Sequence, residues 1–275
     1  MLSKPGENAS PSALDHIRCI VENGLRHSTL RDEIYCQLVK QVTNPTKERF
    51  GILGWELIAI CTGCFAPAAF FKPLTRYLDV EREQPGEIGA WAAYCKDRLL
   101  KTADRGKRLF VPVEREVRAI QLRKPLMEVF HFMDGKQKQI PIYSSTTAEE
   151  ALEFLLQMVG LAGAKGYMIY ESYLLQNETE SETIERSLLN SEVICTSLSR
   201  FHLFQSSFQH RDDYKPSTRF VVKRKLFLPD VPSSPSEDHL MFHQASHFLS
   251  SPLHFPLTFS TACPKTPARA SLYRC

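Results

Sequence analysis

The sequence predicts an all-helical bundle followed by a smaller α+β lobe. Three observations carry this expectation. Apolar residues recur at helical spacing over residues 14–100. After Val113 the apolar period shortens to two, and Asp134-Gly135 supplies a hairpin turn signal. Beyond Ala245 both periods fade: residues 246–275 hold no acidic residue and carry Pro252, Pro256, Pro264 and Pro267, so they read as a disordered tail.

Within the helical part, Leu14, Ile17 and Val21 space a short first helix that Gly24 is expected to end. Ser28 or Thr29 is the expected cap of the next helix. There Leu30, Ile34 and Leu38 recur every four residues, Tyr35 and Val42 widen the stripe, and Arg31, Asp32, Glu33, Lys40 and Gln41 fall largely on the other face. Residues 52–61 are apolar almost all round, with Glu56 as their only charge, which predicts a central helix buried on every side and containing Trp55. Pro67 and Pro73 are read as first-turn prolines of short helices. Ile88, Trp91, Ala92, Cys95 and Leu99 then mark the face of a last packed helix.

In the α+β part, Phe130 and Phe132 alternate with Val129 and His131, and Ile140 alternates with Ile142 in a second strand. Pro141 cannot donate to a ladder, so this strand is expected at an edge or with its proline on the unpaired side. Thr147 and Glu150 form a capping box opening a helix with Ala148, Leu152, Leu155, Leu156 and Val159 on one face. After a loop, residues 167–170 read as a third strand, and hairpin, helix, strand is the order of a ubiquitin-like fold.

Composition narrows the function. Thirty-four basic and 31 acidic residues leave a net charge of +3, too little for nucleic-acid binding unless it is concentrated. No run reaches about 18 consecutive apolar residues and the start has no signal-like apolar segment, so the chain is expected to be cytoplasmic and not membrane-spanning. Eight cysteines in that setting read as reduced thiols. Cys61 and Cys64 have redox or half-zinc spacing, yet no second CxxC matches them and they end a helix, so buried structural cysteine is the favoured reading. His239, His243 and His247 share a helical face without the glutamate of a zinc-protease motif, and the Gly160 to Gly166 loop lacks the ending of a phosphate loop. No catalytic site, cofactor or metal is expected.

The basic residues are the stronger signal. Lys96, Arg98, Lys101, Arg105, Lys107 and Arg108, with Arg115 and Arg118, crowd the last helix and the linker, offset by Asp97, Asp104, Glu114 and Glu116. Lys215, Arg219, Lys223, Arg224 and Lys225 form a second group. Two readings stand side by side: a solvated face with ion pairs across the domain junction, or a docking surface for an acidic partner. Nucleic acid is not expected, because no aromatics interleave with these charges as stacking platforms.

The wording of several segments goes further. Residues 30–41 (LRDEIYCQLVKQ), Gly54-Trp55, residues 63–67 (GCFAP) and residues 76–78 (RYL) resemble the myosin tail homology 4 (MyTH4) domain. Residues 105–108 (RGKR), Pro112, Glu116, residues 132–135 (FMDG), residues 144–148 (SSTTA) and residues 166–171 (GYMIYE) resemble the approach to a FERM domain and its first, ubiquitin-like lobe. Residues 185–188 (ERSL) and the basic stretch 218–227 resemble the end of that lobe and the strand leading into the second, and residues 236–245 the second lobe's first helix. At position 53 the family usually has Arg where this chain has Leu.

The resemblance implies five segments: a disordered start at 1–13, an N-terminally incomplete MyTH4 domain at 14–112, the FERM first lobe at 113–205, the start of the second lobe at 206–245 and a disordered or aberrant tail at 246–275. It is read as a fragment, splice product or truncation. The implied function is a non-catalytic tail segment of an unconventional myosin of class VII, X or XV type. It would bind cytoplasmic receptor tails, scaffold proteins or microtubules, and actin only through a motor domain outside this chain. Filopodia, microvilli and stereocilia are the implied locations. The rival readings are a FERM-type membrane-cytoskeleton adaptor unrelated to a motor and, less favoured, a thiol or zinc enzyme.

Overall fold

The computed structural model describes residues 12–43, 45, 48–177, 181–208, 215–225 and 234–250. The segments expected to be disordered at 1–11 and 251–275 lie outside the described residues. Helix α1 (Ala13–Arg26) opens on a capping box in which the Ser12 hydroxyl accepts from the Asp15 N–H at 3.2 Å and the Asp15 carboxylate accepts from the Ser12 N–H at 2.9 Å. The helix runs through Gly24 instead of ending there. A Cβ on Gly24 would lie 2.2 Å from a Phe65 ring carbon, so that position is small because of packing and not because of a cap.

Ser28–Leu30 forms one 3-10 turn ahead of α2 (Arg31–Thr43), so Ser28 and Thr29 lie inside a turn and not at the expected cap. The buried face of α2 is Tyr35, Leu38 and Val42 with Ile34 packed against the core, as the expected stripe has it, and only Leu30, in the turn before the helix, is exposed at 42%. Two polar contacts fix the helix in place. The buried Tyr35 hydroxyl donates to the Phe65 carbonyl at 2.6 Å, and Asp32 accepts from the N–H groups of Ala68, Ala69 and Phe70 at 2.7, 3.0 and 3.2 Å. Asp32 thus organises the loop that carries Pro67, a loop proline and not the expected helix-first proline, whereas Pro73 sits in the first turn of α4 (Phe71–Arg82).

Helix α3 (Glu48–Thr62) is the expected central helix, but it is not buried on every side: Leu53 is 46% exposed and Glu56 and Leu57 are half-buried. Trp55, Ile58, Ala59, Ile60 and Cys61 are all buried, and Trp55 stacks on Tyr77 with centroids 6.1 Å apart. Helix α5 (Glu87–Arg105) packs Trp91, Ala92, Cys95 and Leu99 against it, with Ile88 left exposed at its start. Helix α6 (Glu114–Gln121) sends Val117 and Ile120 into the same core, and Gln121 donates to Glu56 of α3 at 2.7 Å. The helical domain therefore continues past residue 112, because α6 keeps an apolar face that only this core covers.

The lobe that follows consists of β1 (Leu126–Phe132), β2 (Gln137–Ile142), α7 (Ala148–Met158), β3 (Tyr167–Gln176), β4 (Ser181–Ser187), α8 (Ile194–Ser207) and β5 (Lys215–Arg224). Its sheet order is β2-β1-β5-β3-β4, with β5 parallel to β1 and antiparallel to β3. Pro141 lies on the edge strand β2, and the Thr147 capping box opens α7. Strand β5 corrects one expectation. It is the middle strand of the lobe, with Phe220 stacked on Phe130 at 5.0 Å, so the lobe extends beyond residue 205 and the basic stretch belongs to its sheet, ahead of the next helix. A segment that buries Phe220 and Val222 in this core cannot leave it without opening the sheet.

Helix α9 (Pro235–Ser250) carries the backbone helix past residue 245, into the stretch expected to be disordered. Its Gln244 accepts from the Arg224 N–H at 2.9 Å and donates to the Arg224 carbonyl at 2.7 Å, pairing with the strand as a neighbouring backbone would.

Glu171 on β3 is fully buried. Its carboxylate accepts from Arg186 on β4 and Arg200 on α8, each through Nε at 3.0 Å, and Arg186 also forks onto Glu192 at 2.9 and 3.0 Å. Burial alone would raise the Glu171 pKa, but the two guanidinium groups outweigh it and hold the carboxyl below its ordinary value. The unfolded chain therefore binds more protons, so this network stabilises the fold above the ordinary carboxylate pKa of about 4.3 and the stabilisation is lost as pH falls below it.

Two outcomes follow from this packing. Trp55→Ala costs about 3–5 kcal/mol of unfolding free energy, read from urea midpoints. Glu171→Gln, which leaves two partly buried guanidinium groups without their anion, costs about 3–5 kcal/mol at pH 7, and the gap to the parent narrows when the titration is repeated at pH 3. A constant gap across that range would show that Glu171 contributes no proton-linked stability.

Candidate functional site

The cations of the first basic group occupy the last three turns of α5 and the linker into α6, where the two domains meet. They do not form one open face. Lys96 pairs with Asp79 of α4. Arg98 is buried: its Nε donates to the Ala59 carbonyl at 2.8 Å and its guanidinium lies 5.3 Å from the Tyr94 ring centroid. Lys101 projects outward and pairs with Asp97 one turn back at 2.9 Å. Arg105 reaches across the seam to the Ser145 carbonyl and to Glu150, 3.4 Å away. Lys107 donates to the Leu25 carbonyl of α1 at 2.8 Å.

Arg108 is the joint itself. Its backbone N–H donates to the Cys64 carbonyl at 2.8 Å, inside the helical domain. Its buried guanidinium donates to Glu116 of α6 at 2.5 Å, and to the Cys195 carbonyl and Ser199 hydroxyl of α8 at 3.0 and 3.3 Å. The Ser199 hydroxyl in turn donates to the Val111 carbonyl at 2.9 Å. Burial would lower the Arg108 pKa, but the Glu116 carboxylate reverses this and raises it, so the cation is permanent.

The second group divides in the same way. Lys215 and Arg219 are exposed on β5, and Lys225 donates to the Ser187 hydroxyl at 3.1 Å. Lys223 is buried beside Glu185, 4.5 Å over the Tyr170 ring, and Arg224 is buried against Glu237 of α9 at 2.6 Å. Four of the eleven candidates, Arg98, Arg108, Lys223 and Arg224, are thus interior. One signal in the sequence locates Arg98: it shares the helical face of Trp91, Cys95, Leu99 and Thr102, all buried. Nothing comparable marks Arg108, because a linker has no period.

The two cysteines behave as core groups. Cys61 and Cys64 are fully buried, and burial pushes the Cys61 thiol well above its ordinary pKa and that of Cys64 to about 11. Among the described residues no three His, Cys, Asp or Glu side chains cluster as a metal set. On α9 the His239 and His243 rings lie 4.5 Å apart, and His239 Nε2 is 3.8 Å from Asp134.

Two family matches divide the chain where the structure does. Residues 17–119 match the MyTH4 domain and residues 124–226 the RA like domain. The chain is a MyTH4 domain followed by an RA-like, FERM-type lobe. It is 29% identical over 241 residues to unconventional myosin heavy chain 6 of Caenorhabditis elegans, covering 86% of this chain and 11% of that protein. It is 36% identical over 159 residues to myosin-VIIa of Drosophila melanogaster, covering 58% and 7%. The MyTH4-FERM MF1 domain of Dictyostelium discoideum myosin VII superposes with a TM-score of 0.75 at 27% identity, over 85% of this chain and 47% of that one. The human myosin 7b C-terminal MyTH4-FERM domain, solved in complex with the harmonin-a PDZ3 domain, shares the fold with a TM-score of 0.65 at 22% identity, over 87% and 47%. The chain thus spans about a tenth of the length of these curated relatives and about half of the solved MyTH4-FERM chains.

The junction between the MyTH4 domain and the lobe makes a graded expectation. Arg108→Met strands the buried Glu116 carboxylate and costs about 3–5 kcal/mol, whereas Arg108→Met with Glu116→Leu recovers most of that loss. Lys101→Ala, an exposed intrahelical pair, changes stability by less than about 0.5 kcal/mol. Thermal unfolding of the four proteins checks the order.

Proposed function

We propose that this chain is a non-catalytic binding segment of a longer unconventional myosin, docking an acidic stretch of a scaffold protein or of a receptor's cytoplasmic tail. The observation that carries this reading is the junction: Arg105, Lys107 and Arg108 fasten the MyTH4 domain to its linker and to the RA-like lobe, so both domains present one continuous surface. On that surface Lys101 and the outer parts of Lys96, Arg105 and Lys107 remain as cations for an acidic partner, with Lys215 and Arg219 on the lobe. Arg98 and Arg108 act within the fold and are not part of the docking set. The solved myosin 7b relative is bound to a scaffold-type PDZ domain, which supports a scaffold protein as partner class.

Motor activity, and any contact with actin, belongs to other parts of such a protein. No helix among the described residues is long and apolar enough to cross a membrane, and the likeness to unconventional myosins supports a cytoskeleton-associated location in the cytoplasm. We further propose α9 as the first helix of a second FERM lobe, since Arg224, Glu237 and Gln244 already seat it on the first. Microtubules, whose surface is also acidic, are the second partner the same cations would serve.

The test uses Lys96→Glu/Lys101→Glu in the full chain, with circular dichroism confirming an intact fold. Binding to an acidic peptide, or cosedimentation with microtubules, weakens by about tenfold or more in the double variant, and parent binding falls steeply with salt as the Debye length shrinks to about 8 Å. Equal binding by parent and variant at low salt would reduce the cluster to a solvated face.

A further inference from the structure

We infer that the seam between the MyTH4 domain and the RA-like lobe is a binding site for a free oxyanion of phosphate size. Between the end of α5, the linker and the loop after β2 lies a pocket of about 40 Å³, where one water needs about 10–15 Å³. Arg98, Lys101, Arg105 and Arg108 line it together with Ser144 and Ser145, and no aspartate or glutamate does. Four cations and three hydroxyl-bearing residues, Thr102 among them, thus surround a space without a carboxylate.

Three of the cations have a carboxylate outside the pocket: Asp97 for Lys101, Glu150 for Arg105 and Glu116 for Arg108. Arg98 has none among the described residues. It is 6% exposed, and its Nη2 has no protein hydrogen-bond partner; the Nε of Arg108, 8% exposed, has none either. Buried guanidinium N–H groups left unmatched are costly, and a charged acceptor repays more of that cost than a neutral one. Gly63 belongs to the same wall: a Cβ there would lie 2.0 Å from Arg98 Nη2, so the missing side chain leaves room for the guanidinium.

The donors select the ligand. Planar guanidinium forks and hydroxyls suit the several oxygens of an oxyanion better than a single spherical halide, and the volume admits a free ion. This site shares Lys101 and Arg105 with the proposed docking surface but needs no protein partner, and its residues come from both domains, so the ion binds only the folded, joined state.

The experiment titrates the full chain with inorganic phosphate at constant ionic strength, replacing chloride, and follows both thermal unfolding and ³¹P line broadening. A ligand that binds only the native state raises the melting temperature along a saturating curve. The parent shows that saturation and a matching broadening. Gly63→Ala, whose Cβ displaces the Arg98 guanidinium, loses both. Should Gly63→Ala fail to fold, Lys101→Ala at the rim weakens the phosphate midpoint by about three- to tenfold without changing stability in chloride. A linear rise that is the same in parent and Lys101→Ala, as general salt exclusion produces, or broadening absent in the parent, overturns the site.

Discussion

The buried guanidinium of Arg108 is the constraint on which the arrangement of the two domains depends. Its main chain is tied to the helical core through Cys64, and its side chain reaches Glu116 of α6 and the first turns of α8 in the lobe. A charge in such a place is tolerated only while every partner is present. The relative position of the domains is therefore set by chemistry as well as by shape: moving the lobe away would deprive Arg108 of its Cys195 and Ser199 acceptors and expose its pair with Glu116. Arg105 and Lys107 extend the same seam to Ser145 and Leu25.

The same economy runs through the lobe. Glu171, Arg186, Glu192 and Arg200 join β3, β4, α8 and the loop before it into one charged network beside an aromatic core of Phe130, Phe201 and Phe220. Phe130, Phe201 and Phe220 pack there with Ile140, Ile142, Leu155, Ile169 and Leu198, and the network ties the strands to the helix that covers them. Arg224 repeats the device where α9 meets the sheet. A formal charge of +3 thus hides the distribution that matters: many basic side chains are spent inside the fold, and the remainder define the surface.

That division explains why the basic cluster read differently in one dimension and in three. Along the chain, Lys96 to Arg108 is a run of like charges, for which a solvated face and a docking surface are equal readings. In space it is three things at once: exterior cations, a domain joint, and an arginine turned into a pocket beside Gly63. Charge density is a property of sequence, but burial of a charge depends on partners 39 to 91 residues away, such as Ala59 for Arg98 and Cys195 and Ser199 for Arg108.

Period, turn chemistry and composition by themselves determined the helical domain, the ubiquitin-like order of the lobe, the capping box at Thr147, the edge position of Pro141 and the buried setting of Cys61 and Cys64, because each is local or rests on an apolar periodicity that survives in any context. Tertiary structure alone decided the rest. It tied α2 to the loop after α3 through Tyr35 and Asp32, since a hydroxyl and a carboxylate found backbone partners there, and left Leu30 exposed in the turn before the helix. It drew the domain boundary after α6 and placed β5 in the middle of the sheet, since an apolar face settles where a complementary face exists. It also sorted the cations into interior and exterior, a choice governed by which distant donors and acceptors the fold brings within about 3 Å of one another.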